Sequence, residues 1–104
     1  MEKVNPSDAA QISEALVIWI GPIPALGYDP EAALVDRFGA QVAAQLVPIV
    51  RALEDDFSRT NADTVAADLR DMHKIAFDDF KRKHPEIADA AVHALAGRYT
   101  YANR

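Results

Sequence analysis

Paired cap-and-proline signals constrain this chain more than any other feature. Asn5-Pro6, Asp29-Pro30 and Pro85-Glu86 each read as a helix start, and Gly39 interrupts the stretch between the second and third. Proline at a first helical position gives up an N–H that has no partner there, and an Asn or Asp just before it accepts an orphan N–H of the first turn. The segments between these signals have helical length and carry apolar residues at helical spacing. The reading is an all-α bundle of about five helices with a Pro-rich loop near residues 21–30, built as one domain spanning residues 1–104.

The first helix is expected from Pro6 to Ile20, with Asp8 favouring its positive end. Its β-branched last turn leaves a strand over Leu16–Ile20 as an alternative. Gly21-Pro22-Ile23-Pro24 stops either element. A second helix follows Asp29 and carries Ala32, Leu34, Val35 and Phe38, with Gly39 as a left-handed cap. A third runs from Ala40 to Ser58 on a stripe of Val42, Leu46, Ile49, Val50, Leu53 and Phe57, with a kink or break near Val47 because of Pro48. The second and third helices also read as one element with an irregularity at Gly39. A fourth, capped by Asn61 or Asp63, runs from Ala62 to Lys83 with Val65, Leu69, Met72, Ala76 and Phe80 inward. A fifth begins at Pro85, turns Ile87, Ala91, Val92 and Leu95 inward and closes at Gly97. The tail Arg98–Arg104 is expected to pack as an extended segment.

With half of its 104 residues hydrophobic, the chain can bury one core without staples. It has no Cys, which excludes a disulfide framework, a thiolate metal site and a Cys nucleophile. The N-terminus opens on acids rather than on the basic, then apolar, stretch of a signal peptide. The apolar run Ala15–Ile20 is far short of the about 20 residues of a membrane span. No membrane association and a cytoplasmic location are expected.

The net charge of −5 is concentrated. Residues 54–79 hold eight acids against Arg59, Arg70 and Lys74, which is −5, while the two ends nearly cancel. An acidic segment argues against direct nucleic-acid binding, which depends on neutralising phosphates. It suits a basic protein partner, and it equally suits a solubilising face.

Chemistry-bearing patterns are sparse. There is no phosphate loop and no nucleophile elbow. Ser7, Ser13 and Ser58 have no base nearby in sequence. His73, His84 and His93 show no spacing of three or four, so no metal or cofactor is expected. Asp89 and His93 share a helical face and read as a surface hydrogen bond, and His73 as a half-buried packing residue. An acidic-helix hydrolase would use Glu54 and Asp55 with Asp68 and Asp71 around magnesium, a spacing that is unspecific.

Two features need a reason. Glu54, Asp55 and Asp56 stand at the C-terminal end of the third helix and oppose its dipole, with Arg59 placed to relieve Asp55. On the fourth helix, steps of about 100° per residue put Asp68, Asp71, Ile75, Asp78 and Asp79 on one arc away from Leu69. An apolar Ile75 rimmed by acids has the form of a recognition surface. Packing of Ile75 against another element is the alternative.

The C-terminal third carries a basic stretch, then Pro85-Glu86, Ala91, Leu95, Tyr99-Thr100-Tyr101 and Arg104. This cadence resembles the tails of small immunity proteins encoded beside bacterial polymorphic toxins, including contact-dependent growth inhibition systems. The resemblance implies a cytosolic, non-enzymatic protein that neutralises one cognate toxin domain, often a basic nuclease. It nominates the acids of 54–79, Ile75, Tyr99 and Tyr101 as the partner-binding set. A homodimeric regulatory adaptor and the hydrolase remain the other classes.

Overall fold

A computed structural model describes residues 6–23, 26–60, 62 and 66–102, with the side chains of residues 6–8 left aside. Five helices run through it: α1 Pro6–Ile20, α2 Pro30–Phe38, α3 Ala40–Phe57, α4 Leu69–Lys83 and α5 Asp89–Ala102. Among the described residues there is no strand, so the molecule is all-α and the strand alternative for 16–20 is excluded.

Local chemistry explains most of the boundaries. Asp29 is extended, and its side chain accepts the Ala32 N–H at 3.1 Å, so α2 begins at Pro30 as expected. Gly39 takes φ 86 and ψ 158, a conformation open to glycine that separates α2 from α3 as two helices. Its ψ is extended rather than left-handed helical, and its N–H still closes α2 on Val35 O at 2.8 Å. The cap expected at Asn5 lies outside the described residues.

Three expectations are corrected. Pro48 does not break α3, which runs unbroken over 18 residues. Pro48 and Ala44 are both exposed, so the carbonyl that loses its N–H partner can turn to water. Ala62 is helical as expected, but residues 66–68 are not, so the helix that reaches Lys83 starts at Leu69. Asp68 is its cap, accepting the Asp71 N–H at 2.8 Å, and Asp71 reaches back to the Ala67 N–H at 2.9 Å. Two orphan donors are satisfied by this reciprocal box. Leu69 becomes a first-turn residue and is 46% exposed instead of inward. Asn61, Asp63 and Val65 lie outside the described residues.

The third correction is at the C-terminus. Helix α5 starts at Asp89, not Pro85, and continues through Gly97 to Ala102. Tyr99, Thr100 and Tyr101 are therefore helical, not an extended tail. A glycine need not end a helix whose neighbours hold it, and α5 packs against both α1 and α4.

Helix α1 is the hub, in contact with α2, α3 and α5. Its Leu16 and Ile20 are fully buried with Leu34, Val50 and Val92. Burying such a side chain stabilises by about 1.5–3 kcal/mol. Among the described residues, Ser13, also on α1, is the one buried polar residue. Among the described residues, no helix is long and apolar enough to cross a membrane.

Candidate interaction surface

Helices α3 and α5 both pack on α1, and side chains from the C-terminal half of α3 and the last two turns of α5 meet beside it. Trp19 on α1 donates its indole N–H to Glu54 Oε1 at 3.3 Å. Glu54 Oε2 lies 2.5 Å from Arg98 Nη1 on α5, an ion pair whose angles fall short of a hydrogen bond. Arg51 stands over the Trp19 ring at 5.5 Å and pairs with Glu31 of α2 at 2.7 Å. One carboxylate thus ties together α1, α3 and α5.

Arg98 and Ala102 separate two grooves. The larger, about 640 Å³, is lined by Arg51, Glu54 and Asp55 of α3, by Ser58 and Thr60 just after it, and by Arg98 and Tyr99 of α5. The smaller, about 310 Å³, is more apolar, with Trp19, Pro22, Ile23, Tyr28 and Tyr101. Ile23 is 42% and Tyr101 38% exposed, and Leu26 in the adjoining loop is 87% exposed. The loop geometry is set by Gly21 at φ 64, whose bare Cα faces the Tyr28 ring, while the Tyr28 hydroxyl donates to Ile18 O at 2.5 Å.

The nominated residues divide between places. Glu54, Asp55, Tyr99 and Tyr101 come together around Arg98. Tyr99 is half-buried, edge-on to Phe57 at 5.8 Å, with its hydroxyl near Thr60 O at 3.4 Å, so it supports the surface from beneath. Asp68, Asp71, Ile75, Asp78 and Asp79 lie on or cap α4 instead. Ile75 is half-buried and packed against the core, the alternative named for it, and so is not a lone apolar residue on an acidic arc.

Nor do the acids form an uncompensated field. Asp55 pairs with Arg59 at 2.8 Å, Asp78 with Lys74 at 2.9 Å, and Asp79 with Arg82 at 3.2 Å and Lys83 at 3.7 Å. Asp56 meets His84 Nε2 at 2.6 Å. The hydrogen bond from His84 holds the Asp56 carboxyl below its ordinary pKa, against the opposing effect of burial. The dipole conflict at the end of α3 is thus met by Arg98, Arg59 and His84. Among the described residues no three His, Asp or Glu side chains gather where a metal would sit. Glu54 and Asp55 line the Arg98 groove while Asp68 and Asp71 cap α4, so the four acids of the hydrolase reading do not converge.

The chain matches no protein-family model, no curated protein and no solved structure. Function is therefore argued from the surface itself.

Sequence reasoning missed a further group. His73 Nε2 and His93 Nδ1 are 3.1 Å apart between α4 and α5, with the Phe77 ring 4.4 Å from that of His93. They border a third groove of about 480 Å³ with Leu69, Arg70, Lys74 and Asp78. Burial, then the neighbouring His93, pushes the His73 pKa below its usual value. Asp89, expected beside His93, pairs instead with Lys81 at 3.1 Å. No spacing rule announces a pair 20 residues apart on two helices.

Proposed function

We propose that this chain is an immunity-type binding protein, which neutralises one cognate toxin domain by holding it on the surface around Arg98. The observation that carries the reading is the convergence of Glu54, Asp55, Tyr99 and Tyr101, drawn from two distant segments, beside two adjoining grooves. The apolar groove offers Ile23 and Tyr101 as anchors that a partner would desolvate, and aromatic anchors carry much of the energy of such interfaces. The charged groove frames them with a polar rim. The net charge of −5 steers a basic partner and raises its association rate at low salt. In this reading the protein works in the cytoplasm, without a cofactor and without chemistry of its own.

The test compares two baits, the wild-type chain and the double variant Ile23→Asp/Tyr101→Asp, in lysate of the source cell. The expected result is one basic protein fragment held by the wild type, released by high salt and lost with the variant. Expressed alone, that fragment should arrest growth, and co-expression of the wild-type chain should restore it. A fragment that is harmless when expressed, or that binds both baits equally, would overturn the reading and favour an adaptor.

A further inference from the structure

We propose that His73 and His93 form a two-ligand chelating site for a divalent transition-metal ion of the Zn²⁺ or Ni²⁺ kind, bridging α4 and α5. Their facing nitrogens, His73 Nε2 and His93 Nδ1, are 3.1 Å apart. The ring centroids are 5.4 Å apart with 28° between the planes. That separation is close to the N···N distance plus two ring radii, so the imidazoles meet edge to edge with a nitrogen of each directed at the other. In this arrangement one imidazole donates its N–H to the ring-nitrogen lone pair of the other, the tautomer deciding which.

A tetrahedral complex with metal–nitrogen bonds of about 2.0–2.1 Å places two ligand nitrogens about 3.3–3.4 Å apart. The observed pair must open by a few tenths of an ångström, and each ring must turn off the common line so that both lone pairs converge on one ion. The donor imidazole moves its proton to its other ring nitrogen, by exchange with water, so that both rings stay neutral and both facing nitrogens present lone pairs. Imidazole suits zinc and nickel, whereas magnesium and calcium prefer oxygen.

Most of the surroundings favour the site. Phe77 packs on His93 from one side and restricts its ring. Lys81 occupies Asp89, the carboxylate one turn before His93, so the imidazole stays turned toward α4. Of the two bases bordering the groove, Lys74 is neutralised by Asp78 at 2.9 Å. Arg70 is the other, and its charge works against a bound cation. His93 is exposed, so the remaining coordination positions open to water. The remaining histidine, His84, is committed to Asp56 and serves as an internal control.

Zinc chloride or nickel chloride titrated into the full chain by calorimetry tests the site. One ion per chain is expected. Either His73→Asn or His93→Asn should weaken binding by about tenfold or more, the least that loss of a metal contact costs. His84→Asn should leave it unchanged. Circular dichroism checks that each variant folds. Imidazole nitrogen resonances of the wild-type chain give a second reading that needs no variant: zinc should move the ring signals of His73 and His93 together and leave His84 in place. Binding that survives both substitutions, or a spectrum in which the two rings do not move as a pair, would overturn the site.

Discussion

The Ser13 hydroxyl accepts the backbone N–H of Ala88 at 2.9 Å, joining residues 75 positions apart. The same hydroxyl donates to Ala9 O at 2.8 Å. It thereby fastens the turn that leads into α5 onto the buried face of α1, with the hydroxyl itself satisfied both as donor and as acceptor. Ser13→Ala removes the acceptor from a part-buried N–H, which costs about 1–3 kcal/mol. Urea unfolding should show a lower midpoint for Ser13→Ala. An unchanged midpoint would mean that water replaces the hydroxyl without loss.

Two glycines should respond in opposite directions to alanine. At Gly21 the backbone has φ 64, and an added Cβ would lie 2.3 Å from the Tyr28 ring. Gly21→Ala should therefore destabilise by more than about 1 kcal/mol, with the Tyr28–Ile18 hydrogen bond lost. At Gly97, inside α5, an added Cβ would meet Ile23 Cδ1 at 3.6 Å, ordinary contact. Gly97→Ala should stabilise by about 0.5–1 kcal/mol through helix propensity. Thermal melts should move by a few degrees, down for the first and up for the second.

The caps of α4 can be separated from any role in binding. Asp68→Ala should cost about 0.5–2 kcal/mol, because the Asp71 N–H loses its acceptor. Asp68→Ser retains a capping oxygen and should be close to neutral. Charge reversal at Asp68 or Asp71 therefore perturbs the fold as well as the field, and association-rate measurements are better made at Asp78. Slower association by Asp78→Lys at low salt, with an unchanged melting temperature, would place α4 within the electrostatic reach of the partner.

Acid should weaken the tie between α3 and the turn after α4. The Asp56 pKa is depressed in the folded chain by the His84 hydrogen bond. A depressed carboxyl contributes stability that is present above its unfolded value of 3.8 and is lost as pH falls through the lower, folded value. Both side chains are partly exposed, so the contribution should be about 1 kcal/mol or less. Asp56→Asn should be the less stable protein at neutral pH. Denaturation curves of the two should converge as the pH drops below 3.8. A gap that persists there would assign the effect to packing.

The start of α2 and most core faces were legible because their causes are local. Asp29-Pro30 announces α2 by a cap and a proline acting within four residues. Leu46, Val50 and Phe57, or Met72, Ala76 and Phe80, are buried as their helical spacing predicts. The fifth helix was misjudged where a local rule met a tertiary one. Pro85 reads as a helix start and Gly97 as a stop, but the helix begins at Asp89, and packing on α1 and α4 holds it helical through Gly97 to Ala102.

The sequence by itself determined that this chain is helical, where α2 begins and most of the residues that face inward, since caps and periodicity act within one helix. Only the tertiary structure decided that Ser13 meets Ala88, that Glu54 joins Trp19 to Arg98 and that His73 faces His93. Periodicity states where a side chain points relative to its own helix axis. Which group it meets depends on how two helices cross, and that is settled by the packing of the whole core.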